Sequence, residues 1–138
     1  MLRSVLAVVV GFLLIGALSV GTDAIVRAAA PSAFDAAGRT DSVPILLLTI
    51  AYVGVYAVGG CYLAARLAPG RPMLHAMILG ALGLAFSVLG TIKKWDSAPA
   101  WYHLVALALV LPYAWLGGRL AERRLSAGSS RLSAEAAQ

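Results

Sequence analysis

Apolar positions in this chain do not alternate with polar ones; they gather in four long runs separated by short polar breaks. Each run is of the order of the roughly 20 residues that carry a helix across about 30 Å of hydrocarbon. In lipid only helices or closed barrels satisfy every backbone N–H and C=O, and continuous rather than alternating apolarity excludes the barrel. The pattern predicts an all-α polytopic membrane protein with four transmembrane helices in an up-down bundle, spanning about residues 4–26, 42–66, 72–92 and 97–119. Residues 1–124 are read as one transmembrane domain, and the Ser- and Ala-rich residues 125–138 as a disordered cytoplasmic tail.

The breaks carry the punctuation expected of helix ends. Asp41 or Ser42 can cap the second span, with Pro44 in its first turn, and Asp96 or Ser97 the fourth, with Pro99 placed likewise. Pro112 lies well inside the fourth span and is expected to kink it near Ala108. Between the first two spans, Ser32-x-x-Asp35 has the form of a capping box and Gly38 that of a stop, which predicts a short interfacial helix with Phe34 dipping into lipid. Arg3 and the run after it have signal-peptide character, and Ala28-Ala29-Ala30 offers a cleavage site. Pro31 directly after that site, and the length of the run, favour an uncleaved first span.

In the third span, Ala76, Gly80, Gly83, Ser87 and Gly90 put a small residue at alternating steps of four and three, one stripe on a helix. Such a stripe lets another backbone approach closely, so the third span is expected to be the packing centre. A similar seam in the second span runs through Ala51, Gly54, Ala57, Cys61 and Ala64, beside the pair Gly59-Gly60; a weaker one in the fourth runs through Ala114, Gly117 and Ala121.

Composition narrows the class further: 61% of residues are hydrophobic and 12% charged, which leaves no room for a soluble domain. A net charge of +5 does not point to nucleic acid here, because the basic residues sit at the ends of spans. Arg3, Arg66, Arg71, Arg119, Arg123, Arg124 and Arg131 fall on one side, and Arg27, Arg39, Lys93 and Lys94 on the other. The positive-inside rule then puts both termini in the cytoplasm. Aromatic belts agree, with Trp95, Trp101 and Tyr102 at the outer interface and Tyr62, Tyr113 and Trp115 towards the inner one.

Asp23, Tyr52, Tyr102 and His103 reach similar depth near the outer leaflet and form a candidate polar cluster, able to handle a proton or cation if they converge. The alternative is that Asp23 pairs with Arg27 one turn later and His103 sits neutral at headgroup level. His75, a turn from Arg71, has an interfacial role. Tyr52 and Tyr56 need hydrogen-bond partners if they face inward, with Thr49, Ser87 and backbone opened by Pro112 as acceptors. The single Cys61 cannot form an internal disulfide and reads as a packed apolar residue. No pair of carboxylates within the spans, no His pair at ligand spacing and no phosphate loop are present, so no catalytic, cofactor or metal site is expected.

The stretch Gly59-Gly60-Cys61-Tyr62-Leu63-Ala64-Ala65-Arg66-Leu67-Ala68-Pro69 and the stretch Pro99-Ala100-Trp101-Tyr102-His103, followed by Pro112 and Gly117-Gly118-Arg119-Leu120, resemble the uncharacterised small four-span integral membrane proteins of bacteria. The resemblance implies a fold and a multi-pass place in the bacterial inner membrane, with no activity to carry over. The residues favour a non-catalytic helix bundle, an accessory or structural subunit whose partners are the lipid bilayer and other membrane subunits or a second copy. The alternative is a small oligomeric permease or channel for protons, cations or small solutes.

Overall fold

The computed structural model describes residues 2–136, with side chains for residues 3–128. All regular structure among them is helical: α1 (Leu2–Ala29), α2 (Val43–Leu67), α3 (Pro72–Lys93) and α4 (Ala100–Ala136), with single 3₁₀ turns at Pro31–Ala33 and Trp95–Ser97. Four helices are long and apolar enough to cross a membrane, which defines a multi-pass membrane protein. The contacts fix the chain directions. Gly11 of α1 meets Gly60 of α2, while Thr22, further along, meets Tyr56 and Asp23 meets Tyr52, so α1 and α2 are antiparallel. Gly80 of α3 meets Ala114 of α4 and Gly83 faces Val110, again antiparallel, whereas α2 and α4 run parallel through Gly54 against Tyr113 and Cys61 against Gly117. The result is the up-down bundle that the hydropathy pattern predicts.

The packing centre is the α2/α4 pair, not α3. Cys61, Ala64 and Ala65 from α2, Ala76 and Leu79 from α3, and Ala114 and Ala121 from α4 form one buried cluster, backed by Val8, Phe12 and Ile15 of α1. Every member but Leu79 is small, because without a hydrophobic drive between helices in lipid it is close backbone approach that gains dispersion energy. The stripe on α3 is only half used: Ala76 and Gly80 are buried, but Gly83 meets nothing nearer than Val110 Cγ1 at 3.8 Å, and Ser87 and Gly90 are exposed. On α2, Gly54 and Gly60 are buried and Gly59 faces outward with nothing near it. Two adjacent glycines are about 100° apart around a helix axis, so only one of them can enter a given seam.

The connections differ from the sequence reading in detail. No capping box forms at Ser32; instead the Asp35 carboxylate accepts from the backbone N–H groups of Ala37 (2.9 Å) and Arg39 (2.8 Å), closing a turn with Gly38 at φ +75°. A Cβ on Gly38 would lie 2.6 Å from Arg27 Nη1, so the loop is shaped around that guanidinium. Gly38→Ala is expected to lower stability by about 1–2 kcal/mol, from the left-handed backbone alone, and a thermal or denaturant unfolding midpoint measures it. Thr40 N–H donates to the Ser97 carbonyl (3.1 Å), tying the α1/α2 connection to the α3/α4 connection. On the other side, Arg71 enters α3 at φ +48°, and its carbonyl accepts from His75 Nδ1 (3.1 Å). The chain remains helical through Pro112.

Helix α4 also runs beyond the fourth span, through Leu125, where composition predicts a disordered tail, to Ala136. At about 1.5 Å per residue its 37 residues extend roughly 55 Å, well past the hydrocarbon. Continuing an existing helix avoids the nucleation cost that a separate segment would face. Residues 137–138 of the predicted tail lie outside the described residues.

Candidate functional site: a polar vestibule above an apolar cavity

The glycines decide where the bundle is closed. Gly11, Gly60, Gly80, Gly117 and Gly118 all sit in the half that carries the N-terminus, each with its missing Cβ occupied by a neighbouring helix. In the other half the small residues run out and larger polar ones replace them. On α1 the inward positions there are Ser19, Thr22, Asp23 and Val26, all half-buried. They face Thr49, Tyr52 and Tyr56 of α2 across a polar interface: the Tyr52 hydroxyl donates to Asp23 Oδ1 and the Tyr56 hydroxyl shares a 2.9 Å hydrogen bond with Thr22 Oγ1. Thr49 Oγ1 donates to the Ile45 carbonyl (2.9 Å) and stands 3.4 Å from the Tyr52 hydroxyl.

Above this interface lies a vestibule of about 390 Å³, framed by the ends of all four helices and by both connections at that end. Its polar walls are Arg27, Arg39, Lys93 and Lys94 with Asp23 and Asp96, and its apolar walls include Phe34 and Leu46. Arg27 does not pair with Asp23; its guanidinium lies over the Phe34 ring at 5.0 Å. Phe34 thus covers an arginine rather than reaching into lipid alone. No ion pair among the described residues ties any of the four cations to a carboxylate.

A second cavity of about 280 Å³ lies deeper, between α2, α3 and α4, with Ile15 of α1 at its edge. Thr49 and Tyr102 line both spaces, so the vestibule and the cavity adjoin there. The deeper one is chiefly apolar, walled by Val53, Leu79, Leu109 and the free part of the α3 stripe, Gly83 and Ser87. Tyr113 belongs to this floor rather than to an inner aromatic belt, its ring filling the place of a side chain on Gly54, where a Cβ would fall 2.6 Å from Cζ. Trp115 and Tyr62, the other residues of that predicted belt, each have an arginine over the ring, Arg119 at 5.2 Å and Arg66 at 5.9 Å.

Of the four residues proposed from sequence, three meet at one place: Asp23 and Tyr52 share a hydrogen bond, and both line the vestibule with Tyr102. His103 faces the deeper cavity instead. It is 5% exposed, stacks on Trp95 at 5.3 Å, and donates from Nε2 to the Trp95 carbonyl (3.1 Å), an arrangement that fixes the tautomer and anchors α4 to the turn before it. Thr22 was not anticipated as the partner of Tyr56. Its signal is the adjacent pair Thr22-Asp23 set against two phenols one helical turn apart, which the short α1/α2 connection brings together in antiparallel register.

These features define the class: a four-helix membrane bundle, tightly closed through one half and hollow in the other. Comparison of the chain with protein-family models, with curated proteins and with solved structures gives no match.

Proposed function

We propose that the protein is a non-catalytic helix-bundle subunit of the bacterial inner membrane, with both termini in the cytoplasm, that associates laterally with other membrane subunits or with a second copy of itself. The observation that supports this reading is on α1. Ala17, Gly21, Ala24 and Ala28 repeat the four-three-four spacing of a packing stripe, yet all four are exposed, and a Cβ on Gly21 would meet nothing within 4 Å. A small-residue stripe of this kind gains dispersion energy only when another helix lies against it. Its opposite face is already used by the bundle through Ile15, Ser19 and Thr22.

The test is a mild-detergent pull-down of the tagged chain from its own membranes, read by native mass spectrometry. A stable hetero- or homo-complex is expected, lost in a Gly21→Leu/Ala24→Leu variant whose own unfolding midpoint stays within about 0.5 kcal/mol of the parent, as for surface positions. A lone monomer from native membranes would overturn the reading.

A second reading, a small permease, draws support from the adjoining vestibule and cavity. The α3 wall of the cavity is formed by small residues, Gly83 and Ser87, and a Cβ on Gly83 would meet only Val110 Cγ1, at 3.8 Å. Liposomes that show no flux of protons, alkali cations or small solutes, with no effect of Asp23→Asn, would eliminate it.

A further inference from the structure

From the joined spaces at the hollow end we infer that the vestibule and the cavity beneath it form a single binding site for an anionic amphiphile, a phosphate headgroup with an alkyl chain. The charge balance of the vestibule carries the first half of the argument. Four cationic side chains line it against two carboxylates, and one of those, Asp23, already accepts the Tyr52 hydroxyl. None of the cations is held in an ion pair among the described residues. Four unpaired cations brought to the wall of one cavity favour an anion, and a planar guanidinium matches two phosphate oxygens at once.

Arg27 is set in place for such a role. The Phe34 ring lies against its guanidinium and Gly38, which has no side chain, leaves room for Nη1. The loop residue Arg39 and the end of α3 supply the other charges, and the Thr40–Ser97 hydrogen bond joins the two connections that carry them. The second half of the argument is the floor: at Thr49 and Tyr102 the charged space gives way to the apolar one, about 280 Å³, whose α3 wall is made of the small residues Gly83 and Ser87. A free phosphate would leave that apolar space unused. An alkyl cation or an uncharged alkyl chain would leave the four cations unanswered. The vestibule's 390 Å³ falls within the range of about 300–1,000 Å³ usual for small-molecule sites, and the joined space exceeds it alone.

The phosphate amphiphile can come from the bilayer, as a phospholipid, or from solution, as a soluble alkyl phosphate, and one experiment separates these sources. The full chain in an uncharged maltoside detergent is titrated with octyl phosphate, inorganic phosphate and octyltrimethylammonium. Binding is followed by intrinsic tryptophan fluorescence and by stoichiometry in native mass spectrometry. Samples taken directly from membranes are read for retained phospholipid, whose presence assigns the bilayer as source and whose absence, with octyl phosphate binding intact, assigns solution.

One octyl phosphate per chain is expected, bound at least about tenfold more tightly than either control, since each charge-assisted hydrogen bond contributes on the order of a tenfold factor. Arg39→Gln/Lys94→Gln should weaken octyl phosphate by about tenfold or more. Gly83→Leu, filling the apolar wall, should reduce it to the level of inorganic phosphate. Ser87→Leu on the same wall gives the same result should Gly83→Leu fail to fold, as judged by elution profile and unfolding midpoint. Equal affinity for the anionic and cationic alkyl compounds, inorganic phosphate binding as tightly as octyl phosphate, or octyl phosphate binding unchanged in both kinds of variant would each overturn the proposal.

Discussion

Gly117→Ala is expected to cost about 1–3 kcal/mol of stability, the range for overpacking a tightly fitted interior, and Gly117→Leu to prevent α2 and α4 from docking. The Cβ of an alanine there would stand 2.6 Å from the Val58 carbonyl oxygen, 2.8 Å from Cys61 Cβ and 2.9 Å from the Tyr62 nitrogen. Two of those three atoms are backbone, so no rotamer change relieves the clash and the helices themselves must separate. Separation at this point spreads, because the α2/α4 contact is the most extensive in the bundle. The control is Gly59→Ala, where the added methyl meets nothing and helix propensity improves by up to about 1 kcal/mol. Unfolding midpoints of the two variants in one detergent should move in opposite directions. Similar shifts in both would mean that α2 and α4 do not cross at Gly117.

Tyr52→Phe should be the most costly change in the hollow half, at about 1.5–3 kcal/mol, because it removes the donor from a carboxylate placed within a membrane span. Asp23→Asn is expected to cost less, since the amide oxygen still accepts from the phenol. Tyr56→Phe breaks only the neutral bond to Thr22 and should cost about 0.5–1.5 kcal/mol. This order, Tyr52→Phe above Tyr56→Phe, distinguishes a hydrogen-bonded carboxylate from one that vestibule water hydrates; hydration would make the two phenylalanine variants equal.

The number of helices, their alternation and the start of α2 were legible in the sequence because each rests on a local rule: the length of an apolar run, the brevity of the breaks, proline in a first turn; the end of α4, at Ala136 rather than near residue 119, was not. Positions 76, 80 and 54 were likewise read from spacing, and position 60 as one of an adjacent glycine pair. What spacing did not reveal is where along a stripe the partner stops. Nothing in Gly80, Gly83, Ser87, Gly90 says that Ala114 covers the first and only Val110 approaches the second. That depends on how the helices diverge, which is set by residues on other helices. The stripe on α1, Ala17 to Ala28, was equally readable but carries no glycine pair to draw attention to it.

The candidate cluster shows the same division. Asp23, Tyr52 and Tyr102 could be brought to one depth by counting residues from the span ends, and the structure places them around one vestibule. His103, adjacent to Tyr102, points about 100° away around the helix and is claimed by Trp95, an aromatic that composition assigned only to a lipid interface. Arg27 and Phe34 could not be paired from sequence because the turn that joins them is closed by Asp35 and Gly38, through hydrogen bonds with no helical period.

The central claim, a bundle sealed through its N-terminal half and open to water at the other end, is most directly tested by thiol accessibility in intact cells. In a Cys61→Ala background, single cysteines replace Thr49, which lines both cavities, and Ala64, which is fully buried in the sealed half. Thr49→Cys should react with a membrane-impermeant thiol reagent added outside, and Ala64→Cys should not. Equal reaction at both positions, or reaction of Thr49→Cys only after the membrane is opened, would contradict the account.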